Sequence, residues 1–144
     1  MIVTFCGHSQ INQSETVYAW LLDILRSLLA EGADTFYLGG YGSFDLMAAR
    51  TVNELKKDNP SIRSILVLPY INREYDTALY DETLYPPLES VPPRFAISKR
   101  NEWMVSTADV VVAYVTHDWG GASTALDFAA RYKKRVIQYV PRII

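Results

Sequence analysis

Short apolar runs alternate with stretches of helical period from one end of the chain to the other. The first run, Ile2 to Cys6, reads as a strand. From about Ser14 to Glu31 the spacing changes, and Val17, Leu21, Ile24, Leu25 and Leu28 fall on one face of a helix, because positions three and four apart are neighbours there. Asn12 and Glu15 stand ahead of it at capping-box spacing. Thr35 to Leu38 reads as a second short strand that runs into Gly39-Gly40-Tyr41-Gly42. The helix behind this loop turns Phe44, Ala48, Val52 and Leu55 inward until Asn59-Pro60 stops it. Ser64 to Leu68 is a third strand, apolar enough to be covered on both faces and closed by Pro69.

The pattern weakens from Tyr70 to Pro93, a long segment broken by Pro86-Pro87 and Pro92-Pro93, with a short helix expected near Glu74 to Tyr80. Tyr70, Tyr75, Tyr80 and Tyr85 recur there in steps of five, which gives neither a helix face nor a strand face. Packing against the body explains them better than stacking on a ligand. A helix over about Arg94 to Thr107 leads to a strand at Val110 to Val115 and the loop Thr116-His117-Asp118-Trp119-Gly120-Gly121. A fourth helix packing Ala125, Phe128, Ala129 and Tyr132 precedes the last strand, Val136 to Val140, which ends at Pro141.

Strands alternating with helices define an α/β chain with a mainly parallel sheet. Right-handed crossovers leave few topologies, and a doubly wound, Rossmann-like sheet with core strand order 3-2-1-4-5 is expected, its switch point between the first and fourth strands. The chain has 144 residues, 49% hydrophobic and 21% charged, so residues 1–144 are expected to form one soluble domain. The single cysteine, Cys6, offers no disulfide framework and points to a reducing, cytoplasmic setting. The opening residues read as a strand and not as a signal peptide. The stretch from Ala19 to Ala30 is too short and too charged to span a membrane. A net charge of -2 argues against strong nucleic-acid binding, since only Lys56-Lys57 and Lys133-Lys134-Arg135 cluster.

Ligands of open α/β sheets bind beyond the carboxyl ends of the strands at the switch point. Three loops end there: Gly7-His8-Ser9, Gly39-Gly40-Tyr41-Gly42-Ser43, and the loop from Thr116 to Ser123. The last two are rich in glycine and open directly onto helices, whose unpaired N–H groups suit a phosphate. Taking Ile97, Met104 and Ala108 as the inward stripe of the third helix puts Arg100 and Asn101 on that stripe, and a core-facing arginine needs either a carboxylate or an anionic ligand. Asp127 stands four residues before Arg131, where an exposed ion pair would account for it. His8 and His117 are the only histidines, and without a ligand set at metal spacing they read as loop hydrogen-bonding groups, so no metal is expected. A Cys6–His8 nucleophile pair is a weaker alternative. Trp119 and Tyr41 flank the glycine loops and could stack on a base or cap the core.

The ordered set Phe5-Cys6-Gly7-His8, Gly39-Gly40 to Phe44-Asp45, Leu66-Val67-Leu68-Pro69-Tyr70, Tyr85-Pro86-Pro87, Arg94-Phe95-Ala96, Arg100-Asn101-x-Trp103-Met104-Val105 and Trp119-Gly120-Gly121-Ala122 resembles the YpsA-like branch of the SLOG superfamily. The match spans essentially the whole chain. It implies a Rossmann-like fold that binds a nucleotide-derived small molecule, with ADP-ribose or NAD as favoured candidates and no required cofactor. The same superfamily holds the lonely-guy phosphoribohydrolases, whose pattern is an arginine on the helix before Pro-Gly-Gly-x-Gly-Thr-x-x-Glu. Arg100 matches that arginine, while Trp119, Ser123 and Asp127 replace the proline, third glycine and glutamate. Ser9 stands where the YpsA-like branch often has arginine. DNA-binding relatives share the fold, and related proteins often pair through helices, which allows a homodimer.

The expected ligand-binding residues are therefore Gly7, His8, Ser9, Gly39, Gly40, Tyr41, Gly42, Ser43, Asp45, Arg100, Asn101, Trp119, Gly120, Gly121, Ala122, Ser123 and Thr124. Cytoplasmic sensing of the ligand is the expected function. The alternatives are an N-glycosidic hydrolase with Arg100 and Asp127 as catalytic residues, or a protein-interaction module with a vestigial pocket.

Overall fold

A computed structural model describes residues 1–141. Six parallel strands form one sheet: β1 (Ile2–Gly7), β2 (Thr35–Leu38), β3 (Arg63–Val67), β4 (Glu82–Leu84), β5 (Val110–Tyr114) and β6 (Arg135–Gln138), in the order β4-β3-β2-β1-β5-β6. The expected core order is present as β3-β2-β1-β5-β6. The helices are α1 (Ser14–Ala30), α2 (Ser43–Leu55), α3 (Ala96–Thr107) and α4 (Gly121–Arg131). No helix among the described residues is long and apolar enough to cross a membrane.

Alternation along each strand sorts the core into two layers. Val3 and Phe5 of β1, Phe36 and Leu38 of β2 and Val110 and Val112 of β5 cluster with Val17, Leu21, Leu25 and Leu28 of α1 and Phe44, Ala48 and Val52 of α2. The intervening residues serve the other face. Cys6, Val111 and Ala113 pack with Val105 of α3 and Ala125 and Ala129 of α4, while Tyr37, Ile65 and Val67 cluster with Met104. Burying each large apolar side chain contributes about 1.5–3 kcal/mol, so both layers hold the sheet. Gly32 ends α1 at φ 107, where its own N–H and that of Ala33 reach the carbonyls of Leu29 and Leu28.

Five local expectations are corrected. The Asn12–Glu15 capping box does not form: Gln13 is the cap, in a left-handed conformation at φ 55, and no side chain caps the helix. Glu74 to Tyr80 is not helical, because the Asp76 carboxylate accepts the Ala78 N–H at 3.1 Å, a turn bond that competes with helix formation. Ile97 is 49% exposed; Ala96, Arg100 and Met104 form the buried stripe of α3 in its place. Tyr132 is exposed at the end of α4, and Arg131 lies over the Phe128 ring without an ion pair to Asp127 among the described residues.

The Tyr70–Pro93 segment adds β4 to the sheet edge. Asp81 places it: its carboxylate pairs with Lys56 at the end of α2 and accepts the Ser64 N–H at 2.9 Å, and the Leu68 N–H then donates to Leu84 O at 2.8 Å. Tyrosine hydroxyls tie the rest of the segment, Tyr70 to Pro93 O and Tyr75 to Tyr70 O. Replacing Asp81 by Ala is expected to cost about 1.5 kcal/mol in urea unfolding, the scale of a lost hydrogen bond to a charged group. Amide exchange at Leu68 should speed up while that in β1 stays slow; unchanged Leu68 protection would show that β4 holds without Asp81.

Candidate functional site

β1 and β5 lie side by side, but the chain leaves β1 toward β2 and leaves β5 toward β6, so their following loops diverge. A cavity of about 610 Å³ opens between them. It lies at the switch point, where ligands of open α/β sheets bind. Gly7, His8 and Ser9 enter it from the end of β1, Tyr41 and Asp45 from the start of α2, and Arg100 and Asn101 from α3. Trp119, Gly120, Gly121 and Ala122 close it from the β5–α4 side.

The other expected residues are not brought to the lining. Gly39, Gly40, Gly42 and Ser43 form a packing joint behind it. A Cβ on Gly39 would lie 2.8 Å from Asp45 Oδ2 and 3.2 Å from Arg100 Nη2, and one on Gly42, at φ 89, would lie 2.9 Å from Ser9 Cα. The Ser43 N–H is already donated to Ser9 O. Ser123 and Thr124 lie beyond the first residues of α4, the Thr124 hydroxyl donating to Gly120 O. Asp127 is exposed and stands outside the cavity.

Arg100 is buried in the cavity floor with 3% exposure. Its Nη1 donates to Gly39 O at 2.9 Å and Val67 O at 2.8 Å, and its Nε donates to Asn101 Oδ1 at 2.8 Å. The guanidinium thus joins the ends of β2 and β3 to α3. Burial lowers its pKa and the nearby Asp45 charge raises it; arginine stays protonated under either influence. Burial pushes the Asp45 carboxyl up to about 6, against the opposing pull of Arg100 and of the Tyr41 and Gly39 backbone. The same floor holds Cys6, whose thiol is pushed up to about 12 by burial and then by Asp45. A buried thiol that resists ionisation weighs against the Cys6–His8 nucleophile pair.

The rim is aromatic. His8 stacks on His117 at 3.6 Å between ring centres, and His117 stacks on Trp119 at 3.8 Å. The Thr116 N–H donates to His8 Nε2 at 2.7 Å. Next to the rings α4 begins, where the N–H groups of Gly121, Ala122 and Ser123 have no acceptor within the helix. A Cβ on Gly121 would meet nothing within 4 Å. Tyr114, which pattern reading left out, also lines the cavity, and its hydroxyl accepts the Asn12 N–H at 3.2 Å. Its place as the last residue of the Val110, Val112, Tyr114 alternation was the available signal. Among the described residues no group of three His, Cys, Asp or Glu side chains could hold a metal ion.

This α/β architecture, a single parallel sheet with its cavity at the switch point, is a Rossmann-like fold. It is similar to DNA processing protein A from Helicobacter pylori, with a TM-score of 0.71 and 18% identity over 99% of this chain and 66% of that one, a structure described by its single-stranded DNA binding mode. DNA processing protein A from Streptococcus pneumoniae gives 0.67 and 15% identity over 99% of this chain and 51% of that one. The Moco carrier protein from Chlamydomonas reinhardtii gives 0.56 and 16% identity over 95% and 74%. The chain thus spans about two thirds and one half of the two DNA processing proteins. No protein-family model and no curated protein matches the sequence. The likeness to DNA processing proteins overturns the expectation that strong nucleic-acid binding is excluded: a net charge of -2 does not set that partner aside.

The Asp45 carboxyl supplies a signed test. Its pKa is higher folded than unfolded, so the folded chain holds the proton more firmly and loses stability as pH rises from about 4 through about 6. Thermal melts of the wild type and Asp45→Asn across that window should show the wild type losing ground to the variant as pH rises. A difference that grows in the wild type's favour would mean that Arg100 outweighs burial.

Proposed function

We propose that the cavity binds a nucleotide-derived small molecule of the ADP-ribose or NAD kind and that the chain acts as a cytoplasmic ligand sensor of YpsA-like type. The observation that carries this reading is the rim itself, where a helix start with open space at Gly121 adjoins the exposed ring of Trp119. Backbone N–H groups at a helix start take a phosphate, and planar rings take a base. Asp45 offers an acceptor to sugar hydroxyls from the floor. Hydrolysis at an N-glycosidic bond gains no support from Asp127, which stands outside the cavity.

Thermal shift with ADP-ribose, NAD and AMP tests the proposal. Ligand at about a hundredfold its Kd stabilises by about 2.7 kcal/mol, at about 2–4 °C per kcal/mol for a chain of this size. Gly121→Val should keep the fold and lose the shift, since its side chain would fill the space beside the helix start. Gly42→Val should lower Tm with or without ligand, because its φ of 89 and the Ser9 backbone reject a Cβ. No shift with any of these ligands would overturn the sensor reading.

The fold shared with DNA processing protein A favours a second reading, in which the same cleft takes single-stranded nucleic acid. Fluorescence anisotropy of a labelled single-stranded oligonucleotide separates the two. Saturable binding abolished by Gly121→Val would support it, and no binding at low salt would remove it.

A further inference from the structure

The three rings at the rim form a column whose geometry depends on protonation. The Thr116 N–H donates to His8 Nε2 at 2.7 Å, so that nitrogen carries a lone pair and the ring proton sits on Nδ1. A proton added at Nε2 would set N–H against N–H and break this bond. Thr116 is the residue from which the loop continues to His117, so the same bond places the second ring. His117 lies 3.6 Å above His8 at an interplanar angle of 10°, and its Nδ1 is buried without a hydrogen-bond partner. Trp119 completes the column at 3.8 Å and 19° and is otherwise 69% exposed.

We propose that His8, His117 and Trp119 form a proton-operated latch across the cavity mouth, closed while both imidazoles are neutral and released when a proton enters the pair. Two stacked imidazoles cannot both carry charge at this separation without strong repulsion, and a proton on His8 Nε2 removes the Thr116 anchor. His117 offers its buried nitrogen no acceptor or donor where it stands, so that ring must turn outward to use it. Trp119 then loses its support, and the wall beside Gly120 and Gly121 moves with it.

The remaining charged and titratable groups do not lock the column. Tyr114 of β5 stands edge-on to His8 at 5.9 Å. Asp45 of α2, Arg100 of α3 and Cys6 of β1 share the cavity floor, where Arg100 keeps its charge and the Asp45 carboxyl, pushed up to about 6, gives up its own as pH falls. Asp118, between the second and third rings in sequence, is exposed, and neither α1 nor α4 contributes a charged residue to the lining. Burial, and then His117, hold His8 below its ordinary pKa. The latch is therefore closed at neutral pH. The unfolded chain takes the proton more readily, so stability contributed by the column is complete above about 6.5 and is lost as pH falls below it.

The latch belongs to the free protein, so it stands or falls independently of any ligand. With only two histidines in the chain, long-range proton–nitrogen NMR resolves each imidazole. From about pH 8 to about pH 5, His8 should show the Nδ1–H tautomer and a midpoint below that of free histidine. Trp119 emission, taken as the difference between wild type and Trp119→Phe, should change with the same midpoint. His117→Phe keeps a ring in the column and removes its charge, so the His8 midpoint should move upward. An Nε2–H tautomer of His8, a midpoint at or above that of free histidine, or Trp119 emission that stays flat through the His8 titration would each overturn the proposal. If His117→Phe fails to fold, the tautomer and the emission of the wild type decide it.

Discussion

A permanent positive charge buried under the sheet's carboxyl edge sets the terms for everything near the cavity. Arg100 has to find acceptors where water cannot supply them. It finds them in Gly39 O and Val67 O, carbonyls just where β2 and β3 stop, and in the Asn101 side chain beside it. The contacts that satisfy the guanidinium thereby fix α3 against two strand ends. Gly39 is the point of closest approach, since any side chain there would meet both Asp45 and Arg100. Asp45 feels the guanidinium's field without forming an ion pair with it, and burial prevails in raising its pKa.

Floor and rim obey different physics. The floor is buried and largely hydrogen-bonded: the Arg100 Nη1 and Nε donors have protein acceptors, and the Cys6 thiol stays protonated. The rim is held by ring stacking and is more exposed, with Trp119 and Tyr41 reaching solvent and the start of α4 bordered by empty space. Recognition assigned to the rim needs no rearrangement of the floor. Arg100, the residue whose chemistry points most directly to an anion, is the one most occupied by the fold itself.

Those differences track what was legible in the sequence. β1, β2 and β5 were legible because strands covered on both faces leave dense apolar runs, and β2 was placed at its observed bounds. Arg100 was legible as a polar residue on a helical stripe. Its acceptors were not, because they lie 61 and 33 residues away and are backbone carbonyls that any residue carries. Glycine content marked both loops without separating Gly42, required by the Ser9 backbone, from Gly121, which borders open space. The His8–His117 column joins loops far apart in sequence, and β4 depends on Asp81 and Lys56 more than on any apolar pattern of its own.

The shortness of β4 limits what this edge of the sheet offers to another chain. An exposed edge strand presents unpaired donors and acceptors to any passing chain, and a long flat edge invites sheet-to-sheet growth. Here the edge beside β3 is only three residues long, its Glu82 is drawn into an ion pair with Arg63, and Pro86 follows where a fourth or fifth donor would be needed. A segment too irregular to read as secondary structure thus seals one margin of the sheet against uncontrolled assembly.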